Sequence, residues 1–158
     1  MTDYSELNAQ LEALISGVPH VIADLANASA LIWQSLPELN WAGFYLIENT
    51  AGEDKLVLAP FQGKPACIEI GLSRGVCGTA AAENRTIVVK NVHEFPGHIA
   101  CDCDSNSEIV VPLHRADGTV FGVLDIDSPV FDRFSDEDRA GLEQAAAIIS
   151  RVLYPLLG

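Results

Sequence analysis

Basic residues are scarce in this sequence: nine Lys and Arg stand against 22 Asp and Glu, for a formal net charge of −13. Nucleic acids and anionic membranes are bound by cations that neutralise phosphates, so this balance argues against both as partners. It does not argue against a small zwitterion, which answers to local charge, and the acidic excess otherwise serves solubility. Long apolar runs are missing too. None approaches the roughly 18–20 residues needed to span a bilayer, and the apolar C-terminus is interrupted by Arg151 and Pro155. The opening MTDYSELNAQ carries no basic-then-apolar leader. The expected setting is therefore a reducing cytoplasm, where structural disulfides are rare. Cysteines number only four, and in such a setting they are buried packing residues, metal ligands or working thiols. No CxxC pair is present. His93, His98, Cys101 and Cys103 do not have the spacing of a familiar zinc module, so no metal is expected, and no cofactor.

What is present suits one domain, 1–158, with a substantial core: 158 residues at 49% hydrophobic content. Leu7, Leu11, Leu14 and Ile15 recur at helical spacing, with Gly17 ending the stretch. Pro19 suits the first turn of a second helix carrying Val21, Leu25, Ala28, Ile32 and Leu36 on one side. Near the other end, Ser135 and Asp138 form a capping-box pattern ahead of the stripe Leu142, Ala145, Ile149, Val152 and Leu153. Between them WAGFYLI (41–47), KLVLA (55–59), ACIEI (66–70), TIVV (86–89), SEIVVPL (107–113) and VFGVLDID (120–127) read as strands. Polar turns at 49–54 and 115–118 would close antiparallel hairpins, and GVCGTAAAE reads as a short helix. The predicted class is α+β: about six mainly antiparallel strands with the terminal helices on one face.

Several residues exceed what such a fold requires. Asp125 and Asp127 share one face of a strand whose other face holds Leu124 and Ile126. Asp is a poor strand former, and a buried, unpaired carboxylate costs several kcal/mol, so a strand end would relieve them by exposure. Glu108, in another apolar strand, suggests instead that three carboxylates converge on a cavity. Such a cavity would attract an ammonium group or hold one carboxyl protonated as an acid. Trp41 and Tyr45 share a strand face, and Gly43 between them would leave room for a ligand's methyl-sulfur group or a cation. Cys77 falls at the start of the short helix, a position that lowers a thiol pKa. Cys101 and Cys103 lie in a long loop, 91–106, whose content (FPGHIACDC) is too specific for a linker, and His98 would shape the surroundings of Cys101. Cys67, within ACIEI, reads as a buried small hydrophobe.

Together these segments resemble the free methionine-(R)-sulfoxide reductases, a family built on the GAF fold. The likeness runs through NWAGFYL, PFQGKPACIEI, GVCGTAA, FPGHIACD, SNSEIVVPL, GVLDIDSP and FSDEDRAGLE. FQGKPAC and GVCGTAA, with the cysteine of GHIACD 24 residues beyond Cys77, are specific in combination. A generic GAF sensor would share the sheet but not these cysteines. The resemblance implies reduction of free methionine sulfoxide, with preference for the R epimer. It makes Cys101 the nucleophile at the sulfoxide sulfur and Cys77 the thiol that resolves the resulting sulfenic acid. Cys67 is its alternative resolving thiol, and Cys103, an additional cysteine where the family pattern has a small or acidic residue, would compete for the Cys101 sulfenic acid as another. By the same resemblance Glu108 and Asp127 act on the sulfoxide oxygen, Asp125 holds the substrate ammonium, and Trp41 and Tyr45 cradle the methyl-sulfur end. Thioredoxin or a similar dithiol would restore the enzyme, and the family also suggests a homodimer.

Overall fold

Leu7, Leu11 and Ile15, three of the four residues in the first apolar stripe, form the buried side of α1 (Tyr4–Ile15) in the computed structural model of the chain. The structure describes residues 1–98 and 104–157. Gly17 follows with a positive φ of 76°, which turns the chain after the helix. Helix α2 (Val21–Ser35) begins later than expected, with His20 as its extended N-cap. Pro19 therefore stands outside the helix rather than in its first turn.

The strands are β1 (Trp41–Thr50), β2 (Glu53–Gly63), β3 (Glu69–Gly71), β4 (Ile87–Val89), β5 (Ser107–His114) and β6 (Val120–Ser128). Helix α3 (Gly75–Glu83) separates β3 from β4, and α4 (Asp136–Leu153) closes the fold. The sheet runs β3-β2-β1-β6-β5-β4, with every neighbouring pair antiparallel. Both anticipated hairpins form, β1 with β2 and β5 with β6. One anticipated strand is shorter: of 66–70, only Glu69 and Ile70 join β3. Pro65 offers no amide donor to a ladder. The carbonyls of Lys64 and Cys67 are taken instead by the indole Nε1 of Trp41 (3.1 Å) and the hydroxyl of Tyr45 (3.0 Å).

Alternation along the strands divides the interior in two. Phe44, Ile109, Val111, Leu124 and Ile126 meet α1, α2 and α4 on one face. Tyr45, Val110 and Val123 meet Val76, Cys77 and Ala80 of α3 on the other. The expected capping box is present: Ser135 Oγ accepts from the Asp138 amide, and the Asp138 carboxylate accepts from the Ser135 amide. Asp138 also accepts from the Tyr4 hydroxyl (2.6 Å) and from Arg133 Nη1 (3.0 Å), so the cap of α4 fastens α1 as well.

Gly43 does not leave room for a ligand. A Cβ there would stand 2.7 Å from the Phe61 Cα and closer still to its Cβ. The glycine lets β2 approach at a register irregularity between Gly43 and Tyr45. Gly43→Ala should therefore lower unfolding stability by about 2 kcal/mol, the usual cost of overpacking, as a reduced urea midpoint with an unchanged slope.

Candidate active site

The register of the three central strands builds the site. Trp41 of β1 faces Asp127 of β6, and Asp127 faces Glu108 of β5, so these three form one row across the sheet. Two residues further along, on the same face, lies the row Gly43, Asp125 and Val110. Helix α3 roofs this face, and its first turn presents Gly75, Val76 and Cys77 to a cavity also lined by Trp41, Tyr45, Glu108, Asp125 and Asp127. Six of the residues named from the sequence are thus brought together. Cys101 and Cys103 lie outside the described residues.

The carboxylates are not relieved by exposure at a strand end. Glu108 and Asp125 are each 6% exposed, and Asp127 is half-buried. Burial pushes the Glu108 carboxyl well above its usual range, reinforced by the charges of Asp125 and Asp127 and by hydrogen bonds to both. Burial also raises Asp125, opposed by hydrogen bonds from Glu108 and from the Cys77 thiol. The cluster therefore holds a proton, with Glu108 as the donor and Asp125 as an acceptor. Among the described residues, one Asp125 oxygen, Oδ1, has no hydrogen-bond partner.

Cys77 departs from expectation. Its place in the first turn of α3 favours a thiolate, yet the thiol pKa is raised well above its usual value, first by burial and then by Asp125, Glu108 and Asp127. Three nearby carboxyl groups outweigh one helix terminus. Cys77 is a free thiol, whereas Cys67 is disulfide-bonded and half-buried on the segment between β2 and β3. Cys67 is thus neither a strand residue nor an inert hydrophobe, and the disulfide assigned to Cys77 is not the one found at Cys67.

Trp41 and Tyr45 stack with centroids 5.9 Å apart, and Phe61 extends the stack at 5.0 Å from Trp41. Burial, followed by the nearby acidic groups, raises the Tyr45 hydroxyl pKa, so it remains a donor to the Cys67 carbonyl. Arg74 and His98 also line the cavity and were missed as lining residues. The available signal for Arg74 was a lone base directly before GVCG in a strongly acidic chain. Burial and then His93 lower the His98 pKa, keeping its imidazole neutral at physiological pH.

The sequence matches the GAF domain model over residues 12–153. It is 53% identical to the free methionine-R-sulfoxide reductase of Escherichia coli over 150 residues, covering 95% of this chain and 88% of that protein. The fRMsr of Staphylococcus aureus in complex with substrate superposes with a TM-score of 0.89 at 50% identity, covering 97% of both chains. The chain belongs to the free methionine-R-sulfoxide reductase family. Another family structure, the enzyme of Neisseria meningitidis in complex with its substrate, has a TM-score of 0.89 at 42% identity, covering 94% of this chain and 87% of that one. As in the sequence-based expectation, the family's GAF fold is a six-stranded antiparallel sheet with helices on its faces. Among the described residues, no helix is long and apolar enough to cross a membrane.

The raised Glu108 pKa makes stability depend on pH. Between the ordinary glutamate value of 4.5 and its raised folded value, the folded state binds more protons than the unfolded state, so stability falls as pH rises. Glu108→Gln copies the protonated form and can still donate to Asp125 and Asp127. The variant should show a shallower decline of urea midpoint as pH rises above the ordinary glutamate value, and exceed wild type at the alkaline end.

Proposed function

We propose that this chain reduces free methionine (R)-sulfoxide to methionine with its own thiols and an external dithiol. The observation that carries the reading is a cavity with stacked aromatic rings on one wall and a proton-holding carboxyl cluster on another. Free methionine sulfoxide offers a matching set of groups. Its methyl-sulfur end suits Trp41 and Tyr45, and its ammonium suits Asp125. Its carboxylate suits Arg74 and the first amides of α3. Glu108 donates its proton to the sulfoxide oxygen, which makes the sulfur electrophilic, and Asp127 positions the Glu108 carboxyl beside that oxygen.

The cycle then balances. The Cys101 thiolate attacks the sulfur as the oxygen gains a proton, yielding methionine and a Cys101 sulfenic acid. A second thiol displaces water from that sulfenic acid to give a disulfide. We assign this resolving step to Cys67 rather than Cys77, because Cys67 is disulfide-bonded and half-exposed while Cys77 is buried and held protonated. A dithiol of the thioredoxin class then reduces the disulfide by exchange, in keeping with a cytoplasmic protein. Pairing both charged ends of the amino acid inside a closed cavity leaves no exit for a peptide chain, so the free compound is selected.

The test follows methionine release from separated sulfoxide epimers with dithiothreitol as reductant. Wild type should act on the R epimer, and Cys101→Ser should abolish turnover. Cys67→Ser should keep dithiothreitol-driven turnover but lose thioredoxin-driven turnover, while Cys77→Ser should keep both. Arg74→Gln should raise KM about tenfold, the loss expected for one charged hydrogen-bonded pair. Equal rates on free and peptide-bound sulfoxide, or full activity of Cys101→Ser, would refute the proposal.

A further inference from the structure

The proposed cycle leaves Cys77 without a redox task, although it is a nucleophilic side chain only 5% exposed on the cavity wall. Its Sγ, one carboxylate oxygen of Glu108 and one of Asp125 all lie within 4.8 Å of one another. The three donors come from α3, β5 and β6, so no spacing along the chain announces them. A second observation points to a ligand: among the described residues Asp125 Oδ1 has no hydrogen-bond partner, on a residue more than nine-tenths buried that lines the cavity.

We infer that Cys77, Glu108 and Asp125 form a binding site for one divalent cation of the zinc class, exclusive with the amino-acid substrate. Thiolate with carboxylate ligands selects a borderline metal and disfavours calcium and magnesium, which take oxygen ligands. Three protein ligands with a fourth position open to a cavity is the arrangement of an accessible zinc site. Zinc–sulfur and zinc–oxygen bonds of about 2.3 and 2.0 Å place tetrahedral ligand atoms roughly 3.3–3.5 Å apart, so a cluster whose atoms already lie within 4.8 Å of one another needs to contract by at most about 1.5 Å.

The three donors offer one thiol sulfur and two carboxyl oxygens from largely buried residues on one cavity wall. Asp127, Tyr45, His98 and Arg74 line the same cavity, and the substrate ammonium would approach the same Asp125 carboxylate. The exclusion of substrate rests on the function proposed above; the cation site itself does not.

The test uses the full chain with Cys67→Ser, Cys101→Ser and Cys103→Ser, which leaves Cys77 as its one thiol. Titration with cadmium or cobalt(II) should produce a thiolate-to-metal charge-transfer band that saturates at one ion per chain. Adding Cys77→Ser should abolish it, and adding Asp125→Asn should weaken binding about tenfold or more. Saturating free methionine should weaken metal binding to a similar extent, a readout that does not depend on Asp125→Asn folding or on turnover. No band at millimolar metal, in protein whose thermal melt is intact, would overturn the site. A band indifferent to both Asp125→Asn and methionine would also overturn it, since the metal would then be held elsewhere. A band sensitive to Asp125→Asn but not to methionine would retain the site and overturn the exclusion of substrate.

Discussion

Burial of carboxyl groups beside one another is the constraint around which this molecule is arranged. Glu108 and Asp125 cannot both be ionised in the space they occupy without a large electrostatic penalty, so the cluster keeps a proton. That condition requires a dry roof, which α3 supplies, and a fixed floor, which the central strands supply through their register. A shift of one residue in β5 or β6 would send these side chains into the opposite apolar core. The core formed with α1, α2 and α4 thus holds the acidic face in place as well as stabilising the fold.

The same constraint separates the cysteines by chemistry. A thiol beside a proton-holding acidic cluster resists ionisation, whatever the helix terminus behind it offers. A thiol on the half-exposed segment before β3 has no such opposition and sits where another protein can reach it. Position relative to the acidic cluster, more than position in the sequence, decides which sulfur suits exchange and which suits hydrogen bonding or metal ligation.

Much of this architecture was legible in the sequence. Period-two alternation in GVLDID placed Asp125 and Asp127 together, and the turn residues after Ile47 and His114 marked both hairpins. The Ser135–Asp138 cap was also plain. The failures have physical reasons. ACIEI looks like a strand because composition does not show that the aromatic donors of Trp41 and Tyr45 will claim the carbonyls ahead of it. Gly43 looks like a vacancy because the closeness of a neighbouring strand is a tertiary property. Helix-start reasoning lowers the Cys77 pKa because it counts the local dipole and not the three acidic groups that the sheet delivers from elsewhere. Arg74 escaped notice because an isolated base carries no pattern.

The hydrogen bonds from Trp41 and Tyr45 to the segment before β3 make the aromatic wall and the disulfide-bearing strap one mechanical unit. A ring that packs against cavity contents at its face while anchoring a disulfide-bearing strap at its polar tip cannot be exchanged for another without altering both. Evolutionary tuning of what the cavity accepts is therefore displaced from these rings to Arg74 and His98, which line the cavity from outside the sheet.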